Sequence, residues 1–322
     1  MRASRSCFVM LPLGLIACGP SSSDDDSNGG GDAGVDARPI VGDGDGGGAT
    51  TRHCDQIDLL FVIDDSDSMS QEQANLAANF PGFVQVLEGF RTPAGAPIDY
   101  RLGVTTTGRD LRLVPPPPLP PIGARTQEGL DGALAYQPSC GMNRRWIERG
   151  DPNVTSTFAC VANVGTDGPT VEMPLLMGAW AFTERMTDGT NTGFRRPDAL
   201  LALVVLTDEN DCSQTGADVP ATDVGLCNES RPEVVSPTQI AATFDAVAGG
   251  RERWAVAAIA GPGPGVCESS FGRAAEATRV KTFVELAGDN GVFSSICAGD
   301  LSSGLAAALA TFEDACAAIP ID

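Results

Sequence analysis

Two short apolar runs, each ending in a cluster of acidic and hydroxyl residues, constrain this chain more than any other feature. Residues 57–63 (IDLLFVI) stop at Asp64-Asp65-Ser66-Asp67-Ser68-Met69, and residues 200–206 (LLALVVL) stop at Thr207-Asp208-Glu209-Asn210-Asp211. Runs this short and apolar read as buried strands of a parallel sheet covered on both faces. Residues 100–105 (YRLGVT), 254–260 (WAVAAIA) and 292–296 (VFSSI) are further strand candidates. Between them lie helical sets at spacings of three and four: Leu76, Phe80, Phe83 and Leu87; Leu176 and Trp180; Ile240, Phe244 and Val247; Leu301, Leu305, Leu309 and Phe312. Each set falls on one helix face. The alternation predicts an α/β fold, a doubly wound and mostly parallel sheet with helices on both faces. Ligands of such sheets bind beyond the carboxyl ends of the strands, so the chemistry is expected just after Ile63 and Leu206.

Ser70-x-x-Gln73 and Ser236-Pro237-Thr238-Gln239 both look like capping boxes, the second with proline at the first helical position. The stretch 107–163 breaks the alternation with a Pro-rich run at 115–121, read as a stiff loop, and with Cys140 and Cys160. Within it, 157–162 reads as an edge strand.

The first residues read as a leader. Arg2 and Arg5 precede an apolar stretch that ends in Leu15-Ile16-Ala17-Cys18-Gly19, too short to span a membrane as a helix. The pattern resembles a lipobox, so 1–17 is expected to be removed and Cys18 to be acylated, anchoring the chain in the cell envelope at the outer membrane or cell surface. Residues 19–53 hold seven Asp and two Arg among Gly and Ser, too little apolar surface to offset ordering entropy. With Cys18 they read as a tether giving the folded part a reach of roughly 30 Å. Residues 54–322 are then one domain carrying the insertion at 107–163.

A net charge of −21 argues against nucleic acid or anionic lipid headgroups as partners. Of ten cysteines, eight remain once Cys7 leaves with the leader and Cys18 takes lipid. An even number without CxxC spacing in an oxidising compartment reads as four disulfides, not zinc ligands. Chain termini often meet in compact domains, which suggests Cys54–Cys316. Chain order alone suggests Cys140–Cys160, closing the insertion, with Cys212–Cys227 and Cys267–Cys297.

The acidic clusters occupy the place where the sheet opens. Carboxylates and hydroxyls converging there suit a hard divalent cation such as Mg2+, with Ca2+ or Mn2+ as alternatives. Here 61–69 (FVIDDSDSM) resembles the von Willebrand factor A (vWA) domain, whose metal-ion-dependent adhesion site reads Asp-x-Ser-x-Ser after its first strand. By that resemblance Asp64, Ser66, Ser68 and Asp208 would hold the metal and Met69 would be core. The family adds a loop threonine, for which Thr166 in Gly165-Thr166-Asp167-Gly168 is the choice over Thr170 and Thr126. Thr170 could instead cap the following helix, with Glu172 favouring its first turn. The family usually has glycine where this chain has Asp67, a residue that tolerates a left-handed backbone. The resemblance implies a non-enzymatic adhesion protein that binds a protein ligand through its metal.

Two other functions compete. One is a structural lipoprotein whose metal only stabilises loops. The other is a phosphohydrolase of haloacid dehalogenase type, which Asp65-Ser66-Asp67 fits. That reading lacks a lysine ahead of the last acidic pair, since Lys281 follows it, and lacks a threonine at Met69. No GxSxG elbow or P-loop is present, and the one histidine, His53, sits in the tether.

Overall fold

Along 57–63 the side chains alternate between two cores, as the period of a strand dictates. In the computed structural model Ile57, Leu59, Phe61 and Ile63 enter one hydrophobic cluster, while Leu60 and Val62 enter another on the opposite face. The structure describes residues 54–319 apart from 93–94, 117, 121, 225–226, 228–230, 271 and 300. The leader, Cys18 and the acidic stretch to His53 lie outside the described residues.

The elements in chain order are β1 (Gln56–Ile63), α1 (Ser70–Gly89), β2 (Asp99–Thr106), β3 (Leu111–Val114), β4 (Arg125–Gln127), β5 (Ile147–Glu148), α2 (Val154–Val161), α3 (Pro174–Phe182), α4 (Glu184–Thr187) and β6 (Leu200–Leu206). They continue with β7 (Asp218–Pro220), α5 (Pro237–Ala248), β8 (Trp254–Ala260), β9 (Cys267–Ser269), β10 (Gly272–Ala274), α6 (Thr278–Leu286), β11 (Gly291–Ser295) and α7 (Leu301–Ala318). The main sheet runs β11-β8-β6-β1-β2-β5. Its pairings are parallel except for β5, which runs antiparallel to β2. This is the expected doubly wound α/β architecture. β1 lies centrally between β2 and β6, so its carboxyl end opens where the chain order switches direction, the crevice that such sheets use for ligands.

α1, α2 and α7 cover one face, where Phe61 meets Phe80, Phe83 and Phe158 at centroid distances of 6.0, 5.1 and 4.9 Å. α3, α5 and α6 cover the other, with Phe244 and Phe283 against Trp254. The sole charge on the β1 strand, Asp58, is buried at the amino end and accepts from Arg196 Nε at 2.8 Å. Pairing of this kind is what lets a carboxylate lie inside a sheet.

Several local expectations are corrected. Residues 157–162 lie in and just after helix α2, not in a strand: Thr157, Phe158 and Val161 share a buried helical face against β1. Ser70 does not cap α1. A 3-10 turn at Asp67–Met69 leads directly into the helix, and Gln73 Nε2 donates instead to the Asp64 carbonyl at 2.8 Å. At α5 the box forms, with Ser236 accepting from Gln239 N and Gln239 Oε1 accepting from Ser236 N. A small side sheet, β4-β3-β7, was not foreseen.

Four disulfides join Cys54 to Cys316, Cys140 to Cys160, Cys212 to Cys227 and Cys267 to Cys297. Their Cα separations of 5.1, 5.6, 4.6 and 6.2 Å lie in the range that bridged cysteines adopt. Among the described residues no helix is long and apolar enough to cross a membrane.

Candidate metal centre

Asp64 is the first residue past β1, and its position is set by the strands on one side and by its own side chain on the other. Its N–H donates to the Leu206 carbonyl at the end of β6 at 2.9 Å. Its carboxylate, fully buried, accepts from Ser66 N at 2.9 Å through Oδ1 and from Thr207 Oγ1 at 2.6 Å through Oδ2. The first of these closes an Asx turn, the usual way an aspartate bends its own chain two residues on. Ser66 stays extended at φ −72°, ψ 160°, and the 3-10 turn follows at once. The bend sets the two serine hydroxyls side by side, with Ser66 Oγ and Ser68 Oγ 3.0 Å apart.

Asp208 reaches the same point from the end of β6. Ser68 Oγ donates to its Oδ1 at 3.2 Å across 140 positions of sequence. The Asp208 carbonyl accepts from Ala275 N at 2.8 Å, which fixes the loop after β10 beside the carboxylate. The structure thus brings Asp64, Ser66, Ser68 and Asp208 into one hydrogen-bonded group.

The remaining sequence candidates, Thr166 included, make no hydrogen bond to that group among the described residues. Thr126 lies exposed in β4, and Thr170 donates to Gln127 Oε1 at 3.2 Å rather than capping a helix. Helix α3 begins only at Pro174, and its first N–H groups are met from a distant loop: Leu175 N by Asp211 Oδ1 at 3.1 Å and Leu176 N by Ser213 Oγ at 3.0 Å. Asp211 also pairs with buried Arg279 at 3.1 Å, so this acid is neutralised within the fold and leaves the cluster. Asp67 needs no left-handed backbone, because it opens a right-handed 3-10 turn with its side chain exposed.

The electrostatics show several carboxyls held together at high cost. Burial, then the charge of Asp64, pushes the Asp208 carboxyl up to about 8. The same two causes push Asp65 up to about 7. Burial raises Asp64 against the opposing hydrogen bonds from Thr207 and Ser66. Asp65 lies under the loop that carries Gly168, whose N–H donates to the Asp65 carbonyl at 2.7 Å. A Cβ at Gly168 would stand 2.3 Å from Asp65 Cγ, so only glycine permits this approach.

Glu172, expected only to favour the first turn of a helix, is buried beside this group. It is only 1% exposed, burial drives its carboxyl well above the usual range, and Asp64 and Glu209 add to the effect. Buried oxygens without a hydrogen-bond partner include Asp65 Oδ1, Thr106 Oγ1, Thr107 Oγ1, Glu72 Oε2 and Glu172 Oε2. Asp65, Thr106 and Thr107 stand at the ends of β1 and β2. Among the described residues no group of three or more His, Cys, Asp or Glu side chains is placed to hold a metal ion by itself. The oxygen set here is two carboxylates with two hydroxyls.

A cavity of about 240 Å³ opens beside Ser68 and Asp208, bounded further by Gln71, Glu209, Arg273 and Ala275. Its β9–β10 wall is braced by the disulfide from Cys267 to Cys297.

No family model and no curated protein sequence matches the chain. Among solved structures it is similar to proximal thread matrix protein 1 from the mussel byssus, with 16% identity over 80% of this chain and 49% of that one and a TM-score of 0.41. A structure of the same mussel protein described with a zinc-occupied MIDAS motif gives 14% identity over 82% and 46%, TM-score 0.36. The pilus adhesin SpaC from Lactobacillus rhamnosus GG gives 10% identity over 83% and 30%, TM-score 0.42. The chain spans about half, or less, of the length of these proteins. At these TM-scores the likenesses carry no weight for function, which is read from the residues of the site.

Proposed function

We propose that residues 54–322 form a vWA-type binding domain that holds a divalent cation at Asp64, Ser66, Ser68 and Asp208 and engages a protein ligand there. The observation that carries this reading is the spacing of oxygens drawn from segments 140 positions apart in the sequence. Adjacent vertices of an octahedron of radius ~2.1 Å are ~3.0 Å apart, the geometry Mg2+ requires. Ser66 Oγ to Ser68 Oγ is 3.0 Å, and Ser68 Oγ to Asp208 Oδ1 is 3.2 Å. Hard oxygen donors of this kind favour Mg2+, Mn2+ or Ca2+ over softer metals.

When bound, the cation would supply positive charge and an open coordination position to a ligand oxygen. The chain's own residues orient that event. Asp64 is held by Thr207 and Ser66, Asp208 by its carbonyl contact to Ala275, and Arg273 stands on the cavity rim where an incoming carboxylate would meet it. A carbonyl, or an acidic side chain able to pair with Arg273, suits this setting better than an isolated anion, because Glu209 and Asp65 repel bare negative charge. All eight cysteines of the domain are in disulfides, so none of them serves as a thiol nucleophile. The same bonds fit an oxidising compartment outside the cytoplasm. Acylation at Cys18, with 19–53 as tether, would place the domain on the surface of the envelope.

The test is capture of envelope proteins by the purified domain in Mg2+, in EDTA, and with Ser66→Ala. Capture should require Mg2+ and be lost in the variant. Binding that persists in both EDTA and the variant would reduce the ion to a structural role.

A further inference from the structure

The loop that leads into α3 carries a second acidic group over the end of β1. Its backbone is pinned on both sides of the site: Cys212 N, in the loop after β6, donates to the Glu172 carbonyl at 2.8 Å, and Met173 N donates to the Thr107 carbonyl just past β2 at 3.0 Å. Since β2 and β6 are the two neighbours of β1, these bonds suspend Glu172 above the point where Asp64 emerges. The side chain turns inward. It is 1% exposed, it lies against the Glu209 carboxyl in the field of Asp64, and its Oε2 has no hydrogen-bond partner.

A buried carboxylate oxygen without a donor costs on the order of 1–3 kcal/mol or more, so such an atom calls for a partner that the polypeptide does not supply. Glu209 is itself an acid and can pair with Glu172 only while one of the two carboxyls holds a proton, and among the described residues Thr166 makes no hydrogen bond to the group. Asp64, Asp208 and Glu172 do not converge tightly enough to share an ion directly. Mg2+, however, commonly keeps several of its waters, and each such water is a strong donor pointing away from the ion.

We propose that Glu172, and not Thr166, is the loop residue that completes the metal centre, its Oε2 accepting a hydrogen bond from a water on the divalent cation. This rests on the reading of the site given above and adds a residue to it. Glu172 is then a positioning residue with an electrostatic share in affinity: it adds negative charge beside the cation and fixes the orientation of its hydration shell.

Calorimetric titration with MgCl2 and with CaCl2 distinguishes the two layers of the account. Partners of this kind typically contribute 10–100-fold in metal affinity, so Glu172→Gln should weaken binding by about that factor. Glu172→Ala should weaken it at least as much, and Thr166→Ala should leave it unchanged. The rise in melting temperature caused by saturating metal should shrink in parallel in Glu172→Gln, whereas the metal-free melting temperature should not fall, as it would if the side chain merely held the loop. Wild-type affinity in Glu172→Gln, with binding lost in Asp208→Ala, would overturn the role of Glu172 while leaving the site intact. A Thr166→Ala variant that loses affinity would also overturn it. Absence of any divalent binding by the wild type would remove both.

Discussion

Asp208→Ala should abolish divalent-cation binding, lowering affinity by more than about 100-fold, while the domain still folds. The carboxylate is one of two in the hydrogen-bonded group with the serine hydroxyls, and its Oδ1 is the oxygen that Ser68 meets. The fold does not depend on it in the same way. The backbone contact that positions this loop, Ala275 N to the Asp208 carbonyl, survives the substitution, and the sheet is held by two hydrophobic cores and four disulfides. Removing an acid buried beside Asp64 also removes a repulsion, so the metal-free variant should be at least as stable as the wild type near neutral pH.

The same carboxyls give the metal-free protein a pH dependence of definite sign. Asp208 and Asp65 have folded-state values of about 8 and about 7 against 3.8 for the free group. A raised value means that the folded state holds the proton more tightly than the unfolded chain does. Their contribution to stability is therefore complete below about pH 4 and is lost progressively as pH rises through 7 and 8. In EDTA the melting temperature should decline across that window. In Mg2+ the trend should reverse, because metal competes with protons for the same oxygens, and affinity should climb by up to about tenfold per pH unit for each proton displaced. A metal-free stability that rises between pH 5 and 8 would contradict the electrostatic description of the site.

The second large effect concerns the bond between Cys54 and Cys316, which closes nearly the whole domain, with a sequence separation of 262. A loop this long confines the unfolded chain strongly, and chain-entropy reasoning assigns the cross-link about 5 kcal/mol. Cys54 lies just before β1 and Cys316 in the last turn of α7, both buried, so the bond ties the central strand to the final helix on the α1 face. Replacing both residues by serine should lower unfolding free energy by about 3–5 kcal/mol in urea denaturation. The short loop closed by Cys212 and Cys227 should give less. An unchanged urea midpoint in the double variant would mean that the termini are held by packing alone.

The central strands were legible because β6 and all of β1 beyond Gln56 are buried, and burial on both faces leaves a nearly continuous apolar run, interrupted in β1 only by Asp58, that no helix of that length would need. The same clarity fails at α2. The segment TSTFACVA is rich in residues that favour strands, yet a helix packs Phe158 onto Phe61 and Phe80 and buries Thr157 and Val161 on the same face, which outweighs the local preference. The side sheet was hidden for a different reason: β3, β4 and β7 are three or four residues each, and β7 is far from β3 in sequence.

Position at the strand ends pointed to the two acidic clusters, and the vWA resemblance singled out Asp64, Ser66, Ser68 and Asp208 within them, which the structure links by hydrogen bonds. Glu172 could not be singled out in this way. An acid two residues before a helix looks like a favourable neighbour of the helix N-terminus. That role is instead filled by Asp211 and Ser213, which come from a loop some 36 residues on and are invisible to a local reading. Ser70 shows the same limit: its partner in the expected box, Gln73, is drawn off by the Asp64 carbonyl.

Manganese offers the most direct test, because it suits the same oxygen donors as magnesium and can be located by its anomalous scattering. Crystals of residues 54–322 grown with MnCl2 should show one strong anomalous peak at the carboxyl end of β1, within bonding distance of Ser66 Oγ and Ser68 Oγ and next to Asp64 and Asp208. A peak elsewhere, or none at concentrations that saturate the protein in solution, would contradict it.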